Sequence, residues 1–156
     1  MADAQHTLKP VGGIRAAAVV LQGAAGCGSA SAVVSAARPV PVVEERSSYE
    51  EVSAVVDGAV CIEHRLVLAV PADYAAECLT AELLRHWAVE GTAAAVDTES
   101  GERIVVGWSE RFGCEQPLRL VSAEFSSGNS TRQTPAAILT LRSFDTETAT
   151  RISNQG

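Results

Sequence analysis

The chain has 156 residues, 47% of them hydrophobic, and a formal net charge of −7. That length accommodates one domain with a real core, and that apolar content excludes intrinsic disorder by composition. The acidic balance argues against nucleic-acid binding by phosphate neutralisation, and no apolar run reaches the roughly eighteen residues of a membrane-spanning helix. The apolar residues are mostly Ala and Val, with only two Trp, two Tyr and three Phe. Such a core has few large anchors.

Taken in chain order, residues 1–13 read as a polar N-terminal arm that ends in Pro10 and the Gly12-Gly13 pair. Ile14–Leu21 is a β-branched and Ala run, expected to be a strand. Residues 14–27 also bear a faint likeness to a lipoprotein leader, with an Arg, a small apolar stretch and Ala-Ala-Gly-Cys. Against it stand Ala24 where Leu is usual, the interruption at Gln22-Gly23 and the acidic Asp3. A first strand followed by a Gly-rich loop, Gln22–Ser31, is the preferred reading. "AVVSAA" after it fits helix or strand, and Pro41 limits Val40–Glu45 to an edge strand.

Tyr49–Pro71 is extended, with Asp57-Gly58 as a turn. Along Ala59–Val70, Val60, Ile62, His64, Leu66, Leu68 and Val70 share one parity, the signature of a strand with one buried face. One helix is expected over about residues 73–90, with Asp73 as N-cap, Ala76, Leu79, Leu83 and Trp87 along one face, and Gly91 at its end. "TAAAVD" and "RIVVGWSE" flank "TESG" as a hairpin. Leu118–Phe125 and Ala136–Ser143 are two half-buried strands around the polar tip Ser126–Thr134. This order argues against a doubly wound α/β fold. It predicts an α+β, mainly antiparallel β domain over residues 14–145. The form expected is a small β-sandwich or split barrel with one flanking helix, followed by a loose polar tail at 146–156.

Catalytic and ligand chemistry finds little support. Gly23, Gly26 and Gly28 have the spacing G-x-x-G-x-G, which is not the dinucleotide fingerprint, and no Gly-Lys-Ser/Thr follows. Cys61 and His64 point to opposite faces of a strand, and Cys78 and His86 lie two helical turns apart, so neither pair chelates a metal. No nucleophile has a local base. Glu44-Glu45 and Glu50-Glu51 read as solvated edge residues, and His64 as part of a partly polar edge. The four cysteines, Cys27, Cys61, Cys78 and Cys114, form no C-x-x-C pair and are expected to be reduced thiols. No enzyme activity, cofactor or metal is expected. A small monomeric or dimeric ligand-binding or enzymatic domain using the Gly-rich loop 22–31 is the alternative.

The stretch "GWSERFGCEQPLRLVSAEFSSGNSTRQTPAAILTLRSFD" resembles the closing hairpin of phage tail-tube and related tail proteins. The resemblance extends over roughly Tyr49–Asp145 and is carried by the order sheet, helix, sheet. It implies a β-sandwich that forms homo-oligomeric rings, commonly hexamers, with inner sheets joined into a continuous barrel. Loops and arms would contact neighbouring subunits and other virion proteins. Here those would be Ser126, Ser127, Asn129, Thr131, Arg132 and Gln133 at the hairpin tip, and His6, Leu8 and Lys9 in the N-terminal arm. DNA would pass through the lumen without specific binding, as like-charge repulsion favours for an acidic chain. The implied location is the virion, with assembly in the bacterial cytoplasm and no membrane; the alternative function implies a cytoplasmic protein.

Overall fold

The computed structural model describes residues 12–20, 29–126 and 135–152. The described elements run β1 (Gly12–Val19), α1 (Ala30–Ala36), β2 (Arg38–Val40), a 3-10 turn (Glu44–Arg46), β3 (Ser48–Val56) and β4 (Ala59–Pro71). There follow α2 (Ala72–Cys78), α3 (Ala81–Val89), β5 (Ala94–Thr98), β6 (Arg103–Val106), β7 (Arg119–Ser126), β8 (Ala136–Asp145) and β9 (Thr150–Ile152). The protein is thus α+β and mainly antiparallel β.

All the described strands belong to one open sheet, ordered β7-β8-β4-β3-β1-β5-β6-β9, with β2 beside β1. The two halves expected of a sandwich are present, but β1 joins them. Gly12 and Gly13 pair with Tyr49 and Ser48 of β3. After an irregularity between Ile14 and Ala16, β1 runs along β5 and pairs Ala17–Val19 with β2. A bulge of this kind re-aims a strand without ending it.

The buried rows of both halves meet in one cluster. The parity read along β4 holds from Ile62 onward, and Leu66 and Leu68 sit opposite Leu141 and Leu139 of β8. Ile14, Val96, Ile104 and Val106 come to the same cluster from β1, β5 and β6. Each fully buried branched side chain contributes about 1.5–3 kcal/mol. A smaller cluster, centred on Val33, Val105 and Trp108, lies under α1. The β5-β6 region is therefore buried on both faces, which accounts for its unbroken Ala and Val runs. At the end of β6, Gly107 has φ +88°, and an added Cβ would lie 2.7 Å from the Thr92 carbonyl oxygen. Only glycine lets the chain leave β6 beside the Thr92–Leu118 bridge.

Two helices replace the single one expected over residues 73–90. The stretch 73–90 breaks at Leu79-Thr80, because the Thr80 hydroxyl accepts from the Leu83 amide at 3.1 Å and starts a new helix. Asp73 lies in the first turn of α2, after Pro71, and is not the N-cap. Trp87, 1% exposed, anchors α3 in the main core. "AVVSAA" resolves as helix α1, capped by Ser29. Val40–Glu45 yields only the last residue of the short β2, followed by the 3-10 turn. In the segment expected to be a loose tail, Thr150–Ile152 pair with Arg103–Val105 as β9.

The cysteine expectation is also corrected. Cys114 is disulfide-bonded, while Cys61 and Cys78 are free. Cys114 lies in the turn-rich connection between β6 and β7, at the edge of the smaller cluster. Alkylation without reductant should modify exposed Cys78 first, half-buried Cys61 more slowly and Cys114 not at all. Peptide mass spectrometry reads this directly, and labelled Cys114 in unreduced protein would contradict the bond.

Candidate functional site

Within the half-sheet β7-β8-β4-β3, all three pairings are antiparallel, so β7 runs antiparallel to β3. On its far side β3 pairs with β1 only at Ser48 and Tyr49. Among the described residues, no strand pairs with that edge from Glu50 to Val56, and none with the outer edge of β7. Both edges carry exposed apolar side chains: Val52, Val55 and Val56 on β3, and Val121 and Phe125 on β7. Phe125 is 69% exposed. Between Glu51 and Asp57, β3 has no charge and no Pro, the usual protections of an edge strand. Asp57 and Gly58, with φ of 53° and 81°, form the tight turn to β4.

The outer face of this half-sheet is a lattice of paired charges. The Glu63 carboxylate takes Arg65 at 3.1 Å and Arg142 at 3.4 Å, and Arg65 also reaches Glu50 at 3.8 Å. Register places Arg119 beside Arg142 and Glu124 beside Ile138 on the same face. Three acids (Glu50, Glu63, Glu124) and three Arg (65, 119, 142) balance to zero, so the net −7 of the chain does not reside here. Arg142 also lies over the Phe144 ring, 6.0 Å from its centroid.

On the inner face, where β8 turns toward β9, lies a buried polar cluster. Glu51, read from sequence as solvated, is 6% exposed. Its Oε2 accepts from the Tyr49 hydroxyl at 2.8 Å and from the Ala149 amide at 2.9 Å. Arg151 lies 3.7 Å from its other oxygen. His64, expected at a polar edge, is 3% exposed; its Nε2 donates to the Glu147 carbonyl at 2.9 Å, and its ring meets Tyr49 edge-on. Asp145 accepts from the amides of Thr146 and Glu147. The cluster clamps the 146–149 connection and so holds β9 on β6. Its carboxylate is fully engaged, and it holds no nucleophile poised beside a base.

Burial pushes the Tyr49 phenol well above the ordinary tyrosine range, and the neighbouring Glu51 charge adds to it. The folded state thus keeps the Tyr49 proton that the unfolded chain gives up near pH 10. Stability is full below that pH and falls above it by about 1.4 kcal/mol per pH unit. Urea midpoints measured from pH 8 to 11 should show this decline, and Tyr49→Phe should remove that component. An identical decline in the variant would contradict the assignment.

Of the residues expected to make subunit contacts, Ser126 ends β7 opposite Ala136. Ser127, Asn129, Thr131, Arg132, Gln133, His6, Leu8 and Lys9 lie outside the described residues. So does most of the Gly-rich loop; its end, Ser29–Ser31, borders a recess of about 370 Å³ with Trp108, Glu110, Glu147 and Thr150. Among the described residues no three His, Cys, Asp or Glu gather to hold a metal, and no helix is long and apolar enough to cross a membrane. The open edges went unread from sequence because edge status depends on the sheet order. The available signal was the uncharged run Val52–Val56. Compared with protein-family models, with curated proteins and with solved structures, the chain gave no significant match.

Proposed function

We propose that this chain is a structural, non-catalytic subunit of a phage tail or tail-like assembly, forming homo-oligomeric rings in which β3 of one copy pairs with β7 of the next. The observation that supports it is the pair of apolar strand edges, with no strand paired to them among the described residues, on the two sides of one four-stranded antiparallel half-sheet. Because β3 and β7 run in opposite directions, a copy placed alongside continues the antiparallel alternation without a break. The contact is heterologous, so it closes into a ring when the rotation per copy divides a full turn. The assignment to a tail rests on the resemblance of residues 107–145 to tail-protein hairpins. In the ring, the outer face of the half-sheet lines the lumen. Its charges neutralise one another, so DNA passes without phosphate binding. The setting is the virion, with assembly in the bacterial cytoplasm and other virion proteins as neighbours.

Hydrogen exchange tests the edges directly. On assembly, amides in Glu50–Val56 and Val121–Phe125 should gain protection, whichever register the strands adopt. Particles that form with neither segment protected would rule out edge pairing.

A further inference from the structure

The chain has four cysteines; Cys114 is disulfide-bonded, while Cys61 and Cys78 are free. The fourth is Cys27, which lies outside the described residues. Cys27 stands two residues before Ser29, the N-cap of α1, and so within about 7 Å of it along the chain. Ser29 and Ala30 border the recess of about 370 Å³ together with Trp108 and Glu110 of the β6–β7 connection. Ala30 and Cys114 both pack on the smaller cluster of Val33, Val105 and Trp108. A disulfide spans about 4.4–6.8 Å between Cα atoms, which this shared neighbourhood allows.

The two segments differ in how firmly they are held. In the β6–β7 connection, Ser109 and Gly113 exchange backbone bonds at 3.1 and 2.7 Å, and the Gln116 carbonyl accepts from the Ser143 hydroxyl of β8 at 3.1 Å. α1 has only seven residues, too few to be stable as an isolated helix, and Val33 is its one buried side chain. It contributes no residue to the main core cluster. A covalent tie at its N-terminal end therefore acts on the least anchored helix of the fold.

We infer that Cys27 is the partner of Cys114, and that their bond fastens α1 to the β6–β7 connection under redox control. Closure joins the two Sγ atoms. The two thiols give up two protons and two electrons, and a small-molecule disulfide such as oxidised glutathione takes both and leaves as two thiols. The tie persists in oxidising surroundings and opens in reducing ones. Its opening frees α1 and leaves the main core intact. The inference stands apart from the self-assembly reading.

Peptide mapping of the unreduced full-length protein by mass spectrometry should recover the Cys27 and Cys114 peptides joined within one chain. Hydrogen exchange with and without reductant reads the consequence. The amides of Val33 and Ala37, which donate to the Ser29 and Val33 carbonyls, should exchange about tenfold or more faster on reduction, while those of β4 and β8 keep their protection. Cys27→Ser, Cys114→Ser and the double variant should each reproduce the reduced pattern, with no added effect in the double. Cys114 joined to any other cysteine, or to a second chain, would overturn the pairing. Equal protection of the α1 amides in oxidised and reduced protein would overturn the fastening.

Discussion

Replacing Glu51 by Ala should destabilise the protein by about 3–5 kcal/mol, the largest effect expected of a single polar side chain here. The carboxylate satisfies two buried donors, the Tyr49 hydroxyl and the Ala149 amide, and faces Arg151. Each buried donor left without a partner costs about 1–3 kcal/mol, and Arg151 loses its counter-charge. Tyr49→Phe removes one hydrogen bond to a charged acceptor but leaves no orphan donor, so its cost should be smaller, about 1.5–3 kcal/mol. Urea titrations of the two variants give the comparison. Glu51→Ala within about 1 kcal/mol of wild type, the size of one ordinary hydrogen bond, would show that the cluster is not the clamp described.

The double variant Val52→Lys, Ala54→Lys should leave the fold intact and abolish self-association. Both positions are exposed on β3 and flank the middle of its open edge. A lysine there costs the monomer little, since surface changes lie within about 0.5 kcal/mol. Charged side chains, lysine above all, are the usual guard against edge-to-edge pairing, and these two interrupt the uncharged run Val52–Val56 that leaves the edge open. Circular dichroism and thermal melts should match wild type, while sedimentation should shift to the monomer. Assembly at wild-type concentrations would contradict a role for this edge.

Much of the fold was legible in local pattern. The alternation along β4, the Asp57-Gly58 turn and the β5–β6 hairpin follow from period-two burial and turn chemistry, which act between neighbours in sequence. The features that escaped are set by distant partners or by competing local signals. Glu51 shares its row with Tyr49 and Ser53, which reads as polar; the Ala149 amide that makes its burial affordable lies 98 residues away. The break in the helical stretch at Thr80 was masked because Leu79, Leu83 and Trp87 continue an apolar row across it, and an N-cap inside such a row is silent in periodicity. β9 is three polar-flanked residues whose only reason to be a strand is the free edge of β6. The contact residues assigned by resemblance fall almost wholly outside the described residues. The surfaces that carry the functional proposal came instead from the sheet order.

The central claim is that this chain builds rings from copies of itself. Size-exclusion chromatography with light scattering, followed by negative-stain imaging of the large fraction, addresses it most directly. The account predicts a concentration-dependent species many times the 16.3 kDa chain mass, seen as rings or tubes. A clean monomer at every concentration and salt condition would contradict it.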